Sequence, residues 1–152
     1  MKKDLSKKEM ENNRSPAREL EEGKELQLDF DKIRRSITRS PDIIPVAVQN
    51  INTKEVILVA YTNKEALEKS IQTRIATFWS TSRNELWIKG ETSGNFFELK
   101  EVYVNCEQNS LVYLVNTKGE GICHTRNSNG EARNCFYRRL NLKTGALENI
   151  NP

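Results

Sequence analysis

Histidine and cysteine are scarce in this chain, and so are glycine and proline. Its 152 residues hold one histidine, three cysteines, four prolines and seven glycines. There is no internal repeat and no low-complexity tract beyond the charged N-terminus, so one domain of ordinary size is expected. No apolar run reaches membrane-spanning length, and no apolar segment of signal-peptide type is present, so no membrane partner is expected. An odd number of cysteines without a secretion signal points to a reducing cytoplasm, where disulfides are not expected. The absence of any C-x-x-C pair excludes a knuckle that grips a metal from one loop.

What soft chemistry there is lies in one stretch: Cys106, Cys123, His124 and Cys135. Thiolates beside an imidazole suit zinc. Two arrangements are open. His124 can complete a closed Cys3His structural site, or three thiolates can hold the metal while His124 stays off it as a general acid/base. Cys106 to Cys123 is 17 positions and Cys123 to Cys135 is 12, so the ligands come from separate strands or loops, or from two chains. Three inert buried thiols are the plain alternative on cysteine count alone.

Charged residues make up 30% of the chain and the net charge is +3, a mild basic balance that suits an anionic small molecule as well as nucleic acid. Residues 1–25 are charged and nearly devoid of apolar side chains, which reads as a mobile extension or a marginal helix. Residues 26–141 read as the folded domain and 142–152 as a tail. Leu26, Phe30, Ile33 and Ile37 recur at helical spacing and predict a short amphipathic helix packed on the domain, ended by Pro41. Strands are expected at Ile44 to Gln49 and Val56 to Tyr61, joined by a hairpin through Asn50 to Glu55. Thr62 or Asn63 caps a helix through Thr73 with Ala66, Leu67 and Ile71 buried. Further strands are expected at Ala76 to Ser80, Phe96 to Cys106, Leu111 to Val115, Gly121 to Thr125 and Cys135 to Leu140. Many short strands with one or two helices give an α+β class.

Trp79 to Arg83 and Leu86 to Gly94 are dense in hydroxyls, with Arg83, Lys89 and two glycines that suit an anion cradle, though a polar hairpin loop explains them equally. Trp79 and Trp87 read as core rather than stacking platforms. In an extended strand Asn105, Glu107 and Asn109 would share one face and Cys106 the other. Such a face could offer oxygens to a hard cation, but a polar turn is the simpler reading, since only Glu107 carries charge.

Taken together, Ile44-Pro45-Val46 with Gln49, Val56 to Tyr61 with Asn63 to Leu67, Phe78-Trp79-Ser80 with Ser82-Arg83, Lys89-Gly90-Glu91-Thr92-Ser93-Gly94, Cys123-His124-Thr125 and Cys135-Phe136 resemble the phosphoribosyl-AMP cyclohydrolases. The resemblance runs from about Leu28 to Arg139. It implies a compact, strand-rich α+β domain in an intertwined homodimer with metal sites at the interface. It implies zinc on Cys106, Cys123 and Cys135, one ion per subunit with ligands shared between chains, and His124 as the catalytic histidine. The activity implied is hydrolytic opening of the adenine ring of phosphoribosyl-AMP between N1 and C6, the third step of histidine biosynthesis. Arg83, Lys89, Glu91, Thr92 and Ser93 would hold phosphates and ribose, and no nucleic-acid partner is expected.

Three departures from that pattern stand out. Asn105, Glu107 and Asn109 replace three aspartates that bind magnesium, leaving one negative charge for a possible Mg²⁺ site. Thr81 stands where an arginine is usual, a loss that Arg126 or Arg133 could offset. Residues 126–133 lengthen the loop between Cys123 and Cys135, which closes at little extra entropy. These departures keep two alternatives open: a zinc hydrolase of another purine nucleotide, and a zinc-stabilised nucleic-acid-binding module.

Overall fold

The computed structural model describes residues 16–119 and 122–152. By backbone packing they fall into two units, Phe30–Phe136 and one joining the residues up to Asp29 with Tyr137–Pro152.

The larger unit is built on alternation. Strands β1 (Ile44–Asn50), β2 (Val56–Thr62), β5 (Phe97–Val104) and β6 (Leu111–Thr117) form a sheet in the order β2-β1-β6-β5. Every second residue points inward. Val46 and Val48 on β1 therefore lie beside Leu111 and Tyr113 of the parallel strand β6, and all four are buried. Ile57, Ala60, Phe97, Leu99 and Val115 complete that inner face. The expected β1–β2 hairpin is present, with Asn50 Oδ1 accepting from the backbone of Asn52 and Thr53 at 2.8 and 3.1 Å.

Strands β3 (Thr77–Ser80) and β4 (Glu85–Ile88) pair as a separate hairpin. It seats Phe78 in the core, 5.6 Å from the Trp87 ring and 5.8 Å from the Tyr113 ring. Three helices occur among the described residues, more than the one or two expected: α1 (Pro16–Glu22), α2 (Lys32–Arg39) and α3 (Lys64–Thr73).

Asn63 caps α3, its Oδ1 accepting from the Ala66 N–H at 2.9 Å. The buried stripe differs from expectation. Ala66 is buried and Leu67 packs on the core, but Ile71 is exposed and Ser70 takes its place. The reason is close approach: the Ser70 hydroxyl accepts from the Thr77 N–H at 2.8 Å, which ties α3 directly to the β3 backbone.

Helix α2 departs further. Its apolar residues Ile33 and Ile37 face outward, as does Phe30 before it, while Ser36 and the following Ser40 are buried. A hydroxyl network explains this. Ser40 Oγ accepts from the Trp79 indole at 3.0 Å and donates to Asn84 Oδ1 at 2.5 Å, so the polar side of α2 is the side fastened to the β3–β4 hairpin.

In the smaller unit β7 (Arg138–Leu140) pairs with β8 (Leu147–Asn149). The Tyr137 hydroxyl donates to the Glu21 carbonyl at 2.7 Å and the Arg138 guanidinium to those of Leu20 and Gly23, which holds the end of α1. The remainder of the charged extension, residues 1–15, lies outside the described residues. Among the described residues no helix is long and apolar enough to cross a membrane.

Candidate active site

The stretch expected to run as strands at Gly121 to Thr125 and from Cys135 is instead a small antiparallel excursion, and Gly121 lies outside the described residues. Asn127 turns the chain: its Oδ1 accepts from the N–H groups of Asn129 and Glu131, and its Nδ2 donates to Glu131 Oε2. Arg126 then bridges to Ala132. The Cys123 N–H donates to the Arg133 carbonyl at 2.7 Å and the Arg133 N–H to that of Thr125 at 3.2 Å. The ladder breaks there, and the chain folds so that the Cys123 and Cys135 thiols come within hydrogen-bond reach of one another. The Cys135 N–H in turn donates to the Ile57 carbonyl at 3.3 Å, which fixes the pair against β2.

Both thiols are half-buried and neither is in a disulfide. Burial, then the neighbouring Cys123 thiol with its hydrogen bond, pushes the Cys135 thiol up to about 11, while Lys89 pulls the other way. The Cys123 sulfur accepts from the Thr125 hydroxyl at 3.2 Å and from the Thr125 N–H at 3.5 Å. Thr125 is thus part of the site, although sequence reasoning treated it only as a motif residue. His124 is exposed, with Nδ1 at 3.9 Å from the Cys123 sulfur. Paired thiols, one with two donors aimed at its sulfur, are a donor set that a thiophilic dication fits.

Lys89 is drawn into this group. It shares a face with Trp87, two residues back on β4, and is half-buried. Its ammonium donates to the Ile122 carbonyl at 2.5 Å and lies 5.9 and 5.7 Å from the Trp87 and Phe97 ring centres. Burial holds it below the usual lysine range, against the nearby Cys135 and Cys123 thiols, which raise it. Glu91, Thr92 and Ser93 sit on an exposed loop closed by a Gly94 N–H to Gly90 carbonyl bond of 2.8 Å. Gly90 has φ +92°, and a Cβ there would stand 2.4 Å from the Phe96 nitrogen, so only glycine fits. Arg83 is exposed, 3.4 Å from Glu85.

Cys106 lies apart from the thiol pair, exposed in the turn between β5 and β6. That segment is a turn rather than an extended strand. Asn105 Oδ1 accepts from the N–H groups of Asn109 and Ser110 at 2.9 and 3.0 Å, and Gln108 adopts φ +55°. Asn105 Nδ2 donates to Asn109 Oδ1, and Asn109 Nδ2 to Glu107 Oε2. The three side chains therefore converge, but by bonding to one another. Among the described residues no group of three or more His, Cys, Asp or Glu within this single chain could hold a metal ion.

This stretch falls within the part of the chain that matches a known family. The family model for phosphoribosyl-AMP cyclohydrolase matches residues 58–137. The chain is 46% identical over 113 residues to the phosphoribosyl-AMP cyclohydrolase of Nitrosopumilus maritimus, covering 74% of this chain and 93% of that protein. It is 47% identical over 115 residues to that of Archaeoglobus fulgidus, 76% and 94% of the two chains. It is 40% identical over 115 residues to that of Clostridium botulinum, 74% and 99%.

The chain belongs to the phosphoribosyl-AMP cyclohydrolase family. It is accordingly an enzyme, a hydrolase that acts on a C–N bond. The thiol pair Cys123 and Cys135, with His124 beside Cys123, lies within the matched residues. The Arg126 guanidinium donates to the Gly130 carbonyl at 2.9 Å, and Arg133 is buried with its backbone in the excursion.

Proposed function

We propose that this cyclohydrolase opens the adenine ring of phosphoribosyl-AMP between N1 and C6, the third step of histidine biosynthesis, in a zinc-dependent reaction in the cytoplasm. The observation that carries the reading is the thiol pair Cys123 and Cys135 with His124 at its rim, in a member of this family. Cys123 and Cys135 would hold zinc together with Cys106 of a second copy. Two features support a homodimer. Cys106 does not join the pair in its own chain. Both edge strands of the sheet also expose apolar side chains, Val56 and Val59 on β2 and Tyr103 and Val104 on β5.

Zinc, when bound, supplies the Lewis-acid chemistry that makes water nucleophilic near neutral pH. The chain's own residues do the rest. Water adds at C6, the N1–C6 bond breaks and N1 takes a proton. His124, exposed at the rim, moves that proton. Thr125 holds the Cys123 sulfur in place through its hydroxyl and N–H. Lys89 anchors the Ile122 carbonyl, so Cys123 and His124 enter the site from a fixed residue. Its charge also faces the thiols, so Lys89 contributes to the site's electrostatics rather than reaching for a distant phosphate. Arg83 and the Glu91 to Ser93 loop remain exposed for ribose and phosphate.

Magnesium is a poor fit at Asn105, Glu107 and Asn109. One carboxylate is present, and Asn105 Oδ1 already accepts two backbone N–H bonds. We infer that the amide network shapes the Cys106 turn in place of a cation. Thr81 favours a second reading, another purine nucleotide as substrate, since it removes one guanidinium from the usual pattern.

The test is ring opening of phosphoribosyl-AMP by the zinc-loaded protein, followed by absorbance with and without Mg²⁺. Zinc-dependent turnover that is indifferent to magnesium is expected. Absence of turnover with zinc bound, and turnover of a different purine nucleotide, would transfer the assignment to that nucleotide. Thr125→Val should weaken zinc binding by about 10–100-fold in chelator competition, the usual effect of losing a donor to a ligand atom. Unchanged affinity would remove Thr125 from the site.

A further inference from the structure

Helix α2 meets the end of the β3–β4 hairpin across a cavity of about 460 Å³. Lys32, Arg35, Ser36, Thr38 and Arg39 line it from the helix, and Thr81 and Ser82 from the hairpin turn. Four of the five helix positions, all but Thr38, follow i, i+3, i+4 and i+7, one face of an α-helix. Three of the five are cations, and no acidic side chain is among the described residues lining the cavity. Like charges at this spacing destabilise a helix.

The orientation of α2 sharpens the point. An amphipathic helix ordinarily buries its apolar side. Here Ile33 and Ile37 are exposed, and Ser36 is the helix residue turned to the body, with Lys32, Arg35 and Arg39 exposed around it at the cavity's edge. The helix is held there by buried Ser40, bonded to both Trp79 and Asn84. The cavity is thus fixed by a polar lock at one end and lined with cations and hydroxyls, a set suited to a phosphate dianion.

We propose that this cavity is a phosphate-monoester subsite, in which α2 supplies the charge that Thr81 does not. The proposal rests on the nucleotide reading above for the identity of the phosphate's owner, but not for its chemistry. Thr81 lies four residues along the hairpin from Thr77, which pairs with Ile88 beside Lys89, or about 13 Å at strand rise. A phosphate at the far end of a nucleotide and an extended arginine side chain together bridge that distance. A small residue at position 81 leaves the room that a fourth cation would fill.

The test is calorimetric titration of the zinc-loaded full chain with AMP, with adenosine as the phosphate-lacking control. AMP should bind at least about 10-fold more tightly than adenosine, because charge-assisted bonds to the phosphate are lost in the control. The double variant Arg35→Gln with Arg39→Gln should lose about 10–100-fold in AMP affinity and leave adenosine binding as it was. Thr81→Asp, which leaves α2 intact and puts a carboxylate among the cations, should do the same. With phosphoribosyl-AMP, the double variant should raise KM and leave kcat near the parent value, and Arg39→Lys should recover part of the loss. AMP affinity unchanged in both variants overturns the proposal, and so does an equal loss for AMP and adenosine. The titration needs no turnover. A protein inactive on phosphoribosyl-AMP that still loses AMP affinity on these substitutions keeps the subsite and discards only the substrate.

Discussion

Replacing Cys123 by serine is expected to strip zinc from the purified enzyme and lower turnover by about 10³-fold, some 4 kcal/mol of transition-state stabilisation. Serine keeps the size and the hydrogen-bonding pattern but loses the soft thiolate. The Thr125 donors then meet a hydroxyl oxygen, which binds zinc weakly at neutral pH. Cys135→Ser should behave alike, since the two thiols are hydrogen-bond neighbours. The pH dependence has a definite sign. The Cys135 thiol is held up to about 11 by burial and by Cys123, so it carries its proton at neutral pH before metal arrives. Metal binding must expel that proton, and zinc affinity should therefore fall as pH falls, with protons released on loading. Metal analysis beside turnover checks the variants, and proton release in a weakly buffered titration checks the linkage. Normal zinc content in Cys123→Ser would sink the assignment of the ligand set.

His124→Ala is expected to keep its zinc and lose about 10²–10⁴-fold in kcat, the usual worth of a positioned general acid/base. The residue is exposed beside the Cys123 sulfur, where a substrate ring can reach it. The same variant separates an enzyme from a closed structural site. If the imidazole completes a Cys3His cage, its removal must cost metal as well as rate, and the protein would be a zinc-stabilised binding module. Zinc retention with lost turnover supports the catalytic role. Unchanged turnover would remove His124 from the mechanism.

The sheet was largely legible from the chain, because alternation at Val46 and Val48, a polar turn at Asn50 and a capping asparagine at position 63 each report a local cause. The helix α2 was not. Its apolar spacing announced a buried face, but the Ser40 bonds to Trp79 and Asn84 join residues about forty positions apart, and no local pattern encodes that choice. The thiol pair shows the same divide. The chemistry of Cys123 and Cys135 was plain from residue type, whereas their juxtaposition depended on reading Asn127-Ser128-Asn129-Gly130 as a turn rather than as loose loop. The motif alone associates Lys89 with the phosphates. Its position just past the end of β4, two residues from Trp87, is the local sign that its ammonium also lies near the thiols.

The excursion between Cys123 and Arg133 carries a consequence for how such sites vary between chains. Arg126 bridges antiparallel to Ala132, and the tip between them is exposed, so residues can be added to or taken from it without disturbing that pairing. The separation of the two thiols along the chain is then elastic. A search keyed to one fixed interval would pass over chains of this kind, and one that accepts a variable interval around a turn-forming tip would not.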